Sequence, residues 1–207
     1  MVAPHTDGMT RFFDGTHRQT YPANSVILSG GDVPQSVYCI DSGSVAVVVN
    51  DLDDREYVLT YLYAGDIFGE SGLFDQKPQP FIRVETRVEC TLAEMNCDYF
   101  RRLAESSPKL WYELSVRMAA RLHTNYNKVH DLAFFDATRR VTSALLDLTL
   151  MPDAIDHPDG RQLDITRKEL ARVSDCSPGT VGSVLRELED RGLIHVRGRA
   201  VVVYGTR

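Results

Sequence analysis

The stretch from Ile165 to Ile194, ITRKELARVSDCSPGTVGSVLRELEDRGLI, constrains this chain more than any other. Its spacing predicts two short helices joined by a tight turn. Thr166 and Glu169 have the Thr-x-x-Glu spacing of a capping box, which starts the first helix. Leu170, Ala171 and Val173 supply its apolar side, and Ser174-Asp175-Cys176 is too short and polar to be anything but a turn. Ser177 offers an N-cap hydroxyl, and Pro178 takes the first helical position, where a missing N–H costs nothing. Val181, Val184, Leu185 and Leu188 recur at three- and four-residue intervals, which gives the second helix one buried face. Gly192 closes it. Leu193 to Val196, the tight Arg197-Gly198-Arg199 and Val201 to Tyr204 then form a hairpin.

Helix, turn, helix and a β wing with arginines at its tip predict a winged helix-turn-helix, an architecture that binds DNA. The net charge of −6 looks wrong for that task until it is divided. Residues 137–207 hold 11 Lys and Arg against 10 Asp and Glu, which leaves the acidic surplus, 12 against 19, to residues 1–136. Arg167, Lys168, Arg172, Arg186, Arg197 and Arg199 gather in and around the two helices and the wing. Local charge is what meets phosphate.

The rest of the chain is soluble in character, and a cytoplasmic location is expected: no early apolar run resembles a signal peptide and none is long enough to span a bilayer. Cys39, Cys90, Cys97 and Cys176 form no C-x-x-C pair, so neither a metal cluster nor a disulfide framework is expected. No nucleophile–base pair, metal spacing or paired carboxylates point to catalysis.

Residues 1–20 read as irregular. From Tyr21 onward, short apolar strands alternate with glycine turns: Val26 to Leu28, Val37 to Ile40, Val45 to Val49, Tyr57 to Tyr63 and Ile67, with an acidic turn at Asn50 to Asp54. This predicts an antiparallel barrel or sandwich. Phe81 to Leu92 continues it as one alternating strand, with Ile82, Val84, Thr86, Val88, Cys90 and Leu92 inward and Arg83, Glu85, Arg87 and Glu89 on a solvated face. Between strands, Ile67-Phe68-Gly69-Glu70-Ser71-Gly72-Leu73-Phe74 places glycines where backbone N–H groups approach a phosphate, with Glu70 free to accept from a sugar hydroxyl. Asn96 to Glu105 predicts a short helix with Tyr99, Phe100 and Leu103 inside.

A long helix follows over about Pro108 to Phe135. Trp111, Met118, Asn125 and Leu132 repeat every seven residues, with Leu122 and Val129 four places after Met118 and Asn125. That is a coiled-coil seam whose partner is another copy of the chain. Asn125 either fixes register there or meets a ligand at the interface. Asp136-Ala137-Thr138 reads as a hinge, Arg139 to Thr149 as a helix with Val141, Leu145 and Leu148 inside, and Met151 to Gly160 as a polar loop. The expected divisions are a sensor domain over 1–107, a dimerisation helix and hinge over 108–136, and a DNA-binding domain over 137–207.

Taken together, the Gly-Glu-x-Gly-Leu-Phe turn, the long helix, Leu132-Ala133-Phe134-Phe135-Asp136, the loop Pro152 to Gly160, the winged helix-turn-helix and the final Val-Val-Tyr-Gly-Thr-Arg make the chain resemble a known family. It is similar to the cyclic-AMP receptor protein (catabolite activator), or CRP/FNR, family of bacterial transcription regulators. The resemblance covers nearly everything from Tyr21 onward. It implies an α+β fold: an N-terminal antiparallel β-roll of the cyclic-nucleotide-binding kind, a coiled-coil dimerisation helix and a C-terminal winged helix-turn-helix. It also implies a dimer whose second helices enter successive major grooves.

Matched residue by residue, the resemblance implies a ligand pocket at Gly69, Glu70, Ser71, Pro80, Phe81, Asn125 and Tyr126. The family's Arg-Ser pair for the cyclic phosphate is Pro80-Phe81 here, and its Thr-Ser pair for the adenine is Asn125-Tyr126. A lost arginine–phosphate contact weakens cyclic AMP by roughly one to two orders of magnitude. The pocket then takes another ligand, a cyclic dinucleotide being a family precedent, or side chains such as Phe81 and Tyr126 fill it. Arg83 or Arg87 would replace the arginine only from a face turned to solvent.

In the DNA-binding half the resemblance implies phosphate contacts at Thr138, Arg167, Ser177 and Thr180. The three base-reading places hold Pro178, Gly179 and Ser183, so the family's usual operator is not expected. Lys168, Arg186 and Arg199 complete the expected DNA-facing set. Asp175 stands where the turn's glycine is usual. Asp156 and His157 lie on the loop through which the family touches RNA polymerase; they either serve that contact or merely cap a surface loop. Two functions compete: a dimeric regulator with altered ligand and operator specificity, and a ligand-sensing or interaction protein that has lost sequence-specific promoter regulation.

Overall fold

A computed structural model describes residues 11–52, 55–74, 77–78 and 80–206. The chain divides into two compact units, Met1–Tyr126 and Asn127–Arg207. Asp53 and Asp54 of the expected acidic turn, and residues 1–10, lie outside the described residues.

Among the described residues of the first unit, eight strands form two antiparallel four-stranded sheets. One has the order β1 (His17–Tyr21), β8 (Cys90–Asn96), β3 (Ser36–Ser42), β6 (Ile67–Phe68). The other has β2 (Val26–Leu28), β7 (Ile82–Thr86), β4 (Ser44–Asn50), β5 (Glu56–Tyr63). Ile40, Val45, Leu62, Phe68, Val84, Cys90 and Leu92 come from both sheets and form one core between them. Val37, Cys39, Ala93 and Met95 leave β3 and β8 on the opposite side, because successive side chains in a strand alternate. They pack with Phe13, Phe100, Leu110 and Leu114 in a second core, under the helices α1 (Cys97–Ser106) and α2 (Pro108–Phe134). The first sheet is thus covered on both faces, which explains why β3 carries apolar residues at consecutive positions.

Three sequence expectations fail in this unit. The described part of the stretch expected to be irregular, residues 11–20, is not: a 3₁₀ turn at Arg11–Phe13 is followed by β1, whose ladder pairs His17 with Glu94 and Tyr21 with Cys90. Its side chains are mostly exposed and polar, so the ladder is built on backbone bonds rather than apolar alternation. Phe81 to Leu92 is two strands, not one. β7 pairs in the second sheet and β8 in the first, and the chain crosses between them at Arg87 to Glu89, leaving Val88 50% exposed. In α1 the buried residues are Cys97, Phe100 and Ala104, whereas Tyr99 is exposed.

The second unit contains α3 (Ala137–Thr149), α4 (Arg167–Ser174), α5 (Pro178–Asp190) and a four-stranded antiparallel sheet of order β11 (Ile194–Arg197), β12 (Ala200–Tyr204), β10 (Gly160–Asp164), β9 (Ile155–His157). The expected polar loop at Met151 to Gly160 is a correction as well: its middle forms β9, which pairs Ile155 with Gln162 and His157 with Gly160. Asp136 N-caps α3, accepting from Arg139 N at 2.8 Å. Val141, Ala144, Leu145 and Leu148 form the buried face of α3.

Candidate DNA interface and ligand pocket

The two helices of the opening stretch are capped as their residues demand. The Thr166 hydroxyl accepts from Glu169 N at 3.0 Å and that of Ser177 from Thr180 N at 3.0 Å. At the far end of α5, Leu193 N donates to Leu188 O at 3.0 Å and Gly192 N to Glu189 O at 2.8 Å, with Gly192 at φ +68°. This pair of bonds is the Schellman arrangement that a left-handed glycine permits. Asp175 ends α4 in the left-handed region at φ 49°. Val181, Val184, Leu185 and Leu188 are buried, so one face of α5 is committed to the core.

The opposite face holds the expected DNA-facing residues. Ser177, Pro178, Gly179, Ser183 and Arg186 are exposed and Thr180 is half-buried. Ser183 donates to Gly179 O at 3.3 Å, and Arg186 leans back to donate to the Ser183 hydroxyl at 3.3 Å. Arg186 is the sole cation of α5 and stands on the line Gly179–Ser183–Arg186. Arg167 and Lys168 are exposed on the first turn of α4, and Thr138 is half-buried on the first turn of α3.

The wing is tied down at both ends. The Glu189 carboxylate accepts from Val196 N at 2.9 Å and lies 3.0 Å from His195 Nδ1, which joins β11 to α5. Gly198 and Arg199 close the β11–β12 hairpin, with Gly198 at φ +64°. Arg199 does not simply project outward. Its Nε donates to Asp164 at 2.9 Å, so the acid at the end of β10 partly balances it. Both side chains are more than 60% exposed, and such a pair is readily given up to phosphate.

The expected pocket residues belong to the first unit. Gly69 is buried at φ +83° and opens the 3₁₀ turn Glu70–Leu73; a Cβ there would overlap the Ser36 carbonyl, so only glycine fits. Ser71 is half-buried, and Pro80 and Phe81 are exposed. The Glu70 carboxylate is engaged rather than free. Arg121 of α2 donates to it at 2.9 Å and also to Ile67 O. The two side chains are 24% and 19% exposed. Arg117, one turn earlier, donates to Gly65 O at 2.8 Å, so Leu110, Leu114, Arg117 and Arg121 form the face of α2 turned toward the strands.

Asn125 is half-buried and continues that face, one turn beyond Arg121. Tyr126 is 62% exposed and Phe81 50%, so neither fills a cavity within the chain. Arg121 is the residue that sequence reasoning missed; the spacing Arg117–Arg121–Asn125 was the signal for it. A cleft of about 300 Å³ does exist, bounded by Pro34, Gly72, Cys97 and Arg101, and contains none of the expected pocket residues.

The charged strand face also differs from a simple solvated one. Arg83 is about four-fifths buried and pairs with Glu56 and, at 3.0 Å, with Glu85. The Arg87 guanidinium lies 3.8 Å from the centre of the Tyr61 ring. Both arginines have partners of their own. Among the cysteines, burial pushes the Cys39 thiol up to about 12, with the charge of Asp41 adding to it. Burial raises Cys90 and Cys97 too, as small apolar fillers require.

On the exposed side of α2 stand Met118, Leu122, Val129 and Leu132, between 38% and 63% exposed. Trp111, the first residue of the expected seam, instead packs within the chain, with ring centres 5.5 Å from Phe74 and 5.7 Å from Phe100. Asp156 is exposed and pairs with Arg161, while His157 Nδ1 accepts from Asp159 N at 3.3 Å. No helix among the described residues is long and apolar enough to cross a membrane.

Comparison with known proteins agrees with this architecture. Residues 18–107 match the model of the cyclic nucleotide-binding domain, and residues 139–204 that of the Crp-like helix-turn-helix domain. The chain is 45% identical over 194 residues to the cAMP-activated global transcriptional regulator Vfr of Pseudomonas aeruginosa, covering 92% of this chain and 91% of that protein. It is 40% identical over 205 residues to the cAMP-activated global transcriptional regulator CRP of Escherichia coli O157:H7, covering 99% and 98%. A solved structure of the c-di-GMP responsive global regulator CLP of Xanthomonas campestris is 38% identical and superposes with a TM-score of 0.86, over 95% of this chain and 98% of that one. The chain therefore belongs to the CRP/FNR family of transcription regulators, with a cyclic nucleotide-binding domain followed by a DNA-binding helix-turn-helix.

Proposed function

We propose that the protein is a homodimeric regulator whose sensor has departed from the usual grip on cyclic AMP and whose operator differs from that of its relatives. Two observations carry the first half: Glu70 is paired with Arg121, and the places where the resemblance expects the phosphate-gripping pair hold an exposed Pro80-Phe81. The pocket retains its sugar-binding acid and a helix-borne guanidinium but lacks the arginine that would close on a cyclic phosphate. Gly69, Glu70, Ser71, Pro80, Phe81, Asn125 and Tyr126, with Arg121 added, form the ligand site of this reading. The effector is a cyclic nucleotide or a cyclic dinucleotide. The likeness to a c-di-GMP responsive regulator supports the dinucleotide, and the likeness to cAMP-activated regulators supports the mononucleotide.

Double-stranded DNA is the partner of α5, with Thr138, Arg167, Lys168, Ser177, Thr180 and Arg199 on phosphates and Arg186 as the remaining long reader. Pro178, Gly179 and Ser183 cannot form the bidentate contacts that discriminate bases, so the groove's shape carries more of the recognition. The second partner is another copy through the apolar face of α2; the third is RNA polymerase at Asp156 and His157. In functional terms residues 1–107 sense, 108–136 dimerise and link, and 137–207 bind DNA in the cytoplasm.

Calorimetry with cyclic AMP, cyclic GMP and cyclic di-GMP tests the sensor. Cyclic AMP is expected to bind one to two orders of magnitude more weakly than an arginine–phosphate grip allows; sub-micromolar affinity would end that reading. Selection from random duplexes tests the operator. A two-fold motif unlike the relatives' site is expected, and enrichment without any motif would mean that promoter recognition is gone.

A further inference from the structure

Arg140, in the first turn of α3, spends its guanidinium on backbone carbonyls from two different helix ends. Nη1 donates to Phe135 O at 3.0 Å, just past the last residue of α2. Nε donates to Ser174 O at 3.0 Å and Nη2 to Asp175 O at 3.0 Å, where α4 stops and the turn to α5 begins. Nη2 also lies 3.6 Å from the Cys176 sulfur. Carbonyls at a helix C-terminus have no intrahelical donor, and the helix dipole favours a cation there. The guanidinium presents its donors in one rigid plane, which a lysine ammonium cannot imitate.

These contacts set the place of the α4–α5 turn against the end of α2. Asp175 holds a left-handed conformation that favours glycine, and its carbonyl is one of the three that Arg140 binds. Pro178, the first residue of α5, follows three residues later, so the position of the turn fixes the N-terminus of the helix that faces bases. A further tie joins the same elements within the second unit: Ser143 donates to Asp131 at 3.0 Å.

We infer that Arg140 is a positioning residue for operator reading: it aligns the N-terminus of α5 through the α4–α5 turn, with its donors engaged by protein carbonyls rather than by phosphate. Base contacts depend on sub-ångström placement, whereas phosphate contacts tolerate a shifted helix. The inference rests on the DNA-binding reading above and adds a residue that sets how α5 meets the groove.

The test uses the full chain and its Arg140→Gln and Arg140→Lys variants. Binding is measured to the operator obtained by selection and to a random duplex across a salt series, and thermal melting is recorded alongside. Both variants are expected to bind operator about tenfold more weakly, the scale of one lost base contact. Random-duplex affinity and the salt slope should be unchanged. A salt slope lower by about one, with equal losses on both duplexes, would make Arg140 a phosphate contact and overturn the inference. Full operator binding by Arg140→Lys would overturn it too, because charge and not the fork would then suffice. Should Arg140→Gln melt below the assay temperature, Asp175→Gly with Arg140 intact offers a second reading. Relaxing the strain while keeping the clamp should leave operator affinity unchanged or higher, and a tenfold loss would contradict the clamp. Wild-type protein that binds no DNA ends the DNA-binding reading, whereas wild type and variants that bind operator equally end this one.

Discussion

Arg121 Nη1 donates to the Glu70 carboxylate at 2.9 Å, joining the glycine-flanked turn of the sensor to the long helix. The same guanidinium holds Ile67 O, so one side chain satisfies both a charge and a strand-end carbonyl. Arg121→Ala leaves a largely buried carboxylate without its cation and a carbonyl without its donor. It should cost about 2–4 kcal/mol in urea unfolding, on the scale of a charged hydrogen bond with a stranded partner. Glu70→Gln keeps an acceptor for the guanidinium and should cost distinctly less. Equal losses would mean that the pair does not govern this contact.

The helix caps allow a second prediction. Thr166→Ala removes the acceptor of Glu169 N and should lower stability by about 1 kcal/mol without changing the salt slope of DNA binding. Ser177→Ala should lower stability by a similar amount and weaken DNA binding as well, because the same hydroxyl is exposed at the N-terminus of α5. Thermal melting combined with fluorescence anisotropy on a labelled duplex separates the two effects.

The caps, the buried face of α5 and the left-handed Gly192 were legible because each is a local pattern of a few residues. β1 was hidden because HRQTY has no apolar alternation; its partner, β8, lies about 70 residues away and binds it through backbone. The crossing at Arg87 to Glu89 was hidden for the opposite reason. Alternation happens to run through it, and only the change of sheet leaves Val88 exposed. In the candidate sites, the exposed positions on α5 followed from its period, but the engagement of Glu70 by Arg121 and of Arg199 by Asp164 depended on how distant segments meet. Heptad spacing placed Trp111 in the seam, yet its ring is held by Phe74 and Phe100, since an aromatic of that size at the start of α2 is covered by α1.

Asp147 provides a pH prediction. The Asp147 side chain is exposed, yet the protein packed around it strips enough water to raise its carboxyl above the ordinary 3.8; the nearby charge of Lys128 lowers it less, and Asp131 adds to the rise. Lys128 is itself lowered by burial, and Ser143 and His130 stand against Asp131. A carboxyl raised on folding contributes stability that is fully present below its unfolded value and lost as pH rises through its folded value. At neutral pH the ionised Asp147 is therefore a net cost, even with Lys128 beside it. Asp147→Asn should unfold at higher denaturant than wild type at pH 7, and the difference should shrink as pH falls through the raised value toward 3.8. A variant less stable than wild type at pH 7 would show that attraction to Lys128 outweighs burial.

The apolar face of α2 supports the last prediction. Leu122 and Val129 are 49% and 63% exposed in the single chain, seven residues apart on a helix whose other face is packed against strands. Exposed apolar side chains at that spacing along 27 residues of helix are stable in water when a second copy covers them. A glutamate at either place would put two like charges across the seam in a parallel pair. Leu122→Glu combined with Val129→Glu should therefore sediment as a folded monomer, with the melting of the separate units little changed. Each monomer would then hold one half-site, and operator affinity should fall by roughly 10²–10⁴-fold from the loss of linked binding. Random-duplex affinity per protomer should change far less. A double variant that still sediments as a dimer would place the contact between copies elsewhere on the chain.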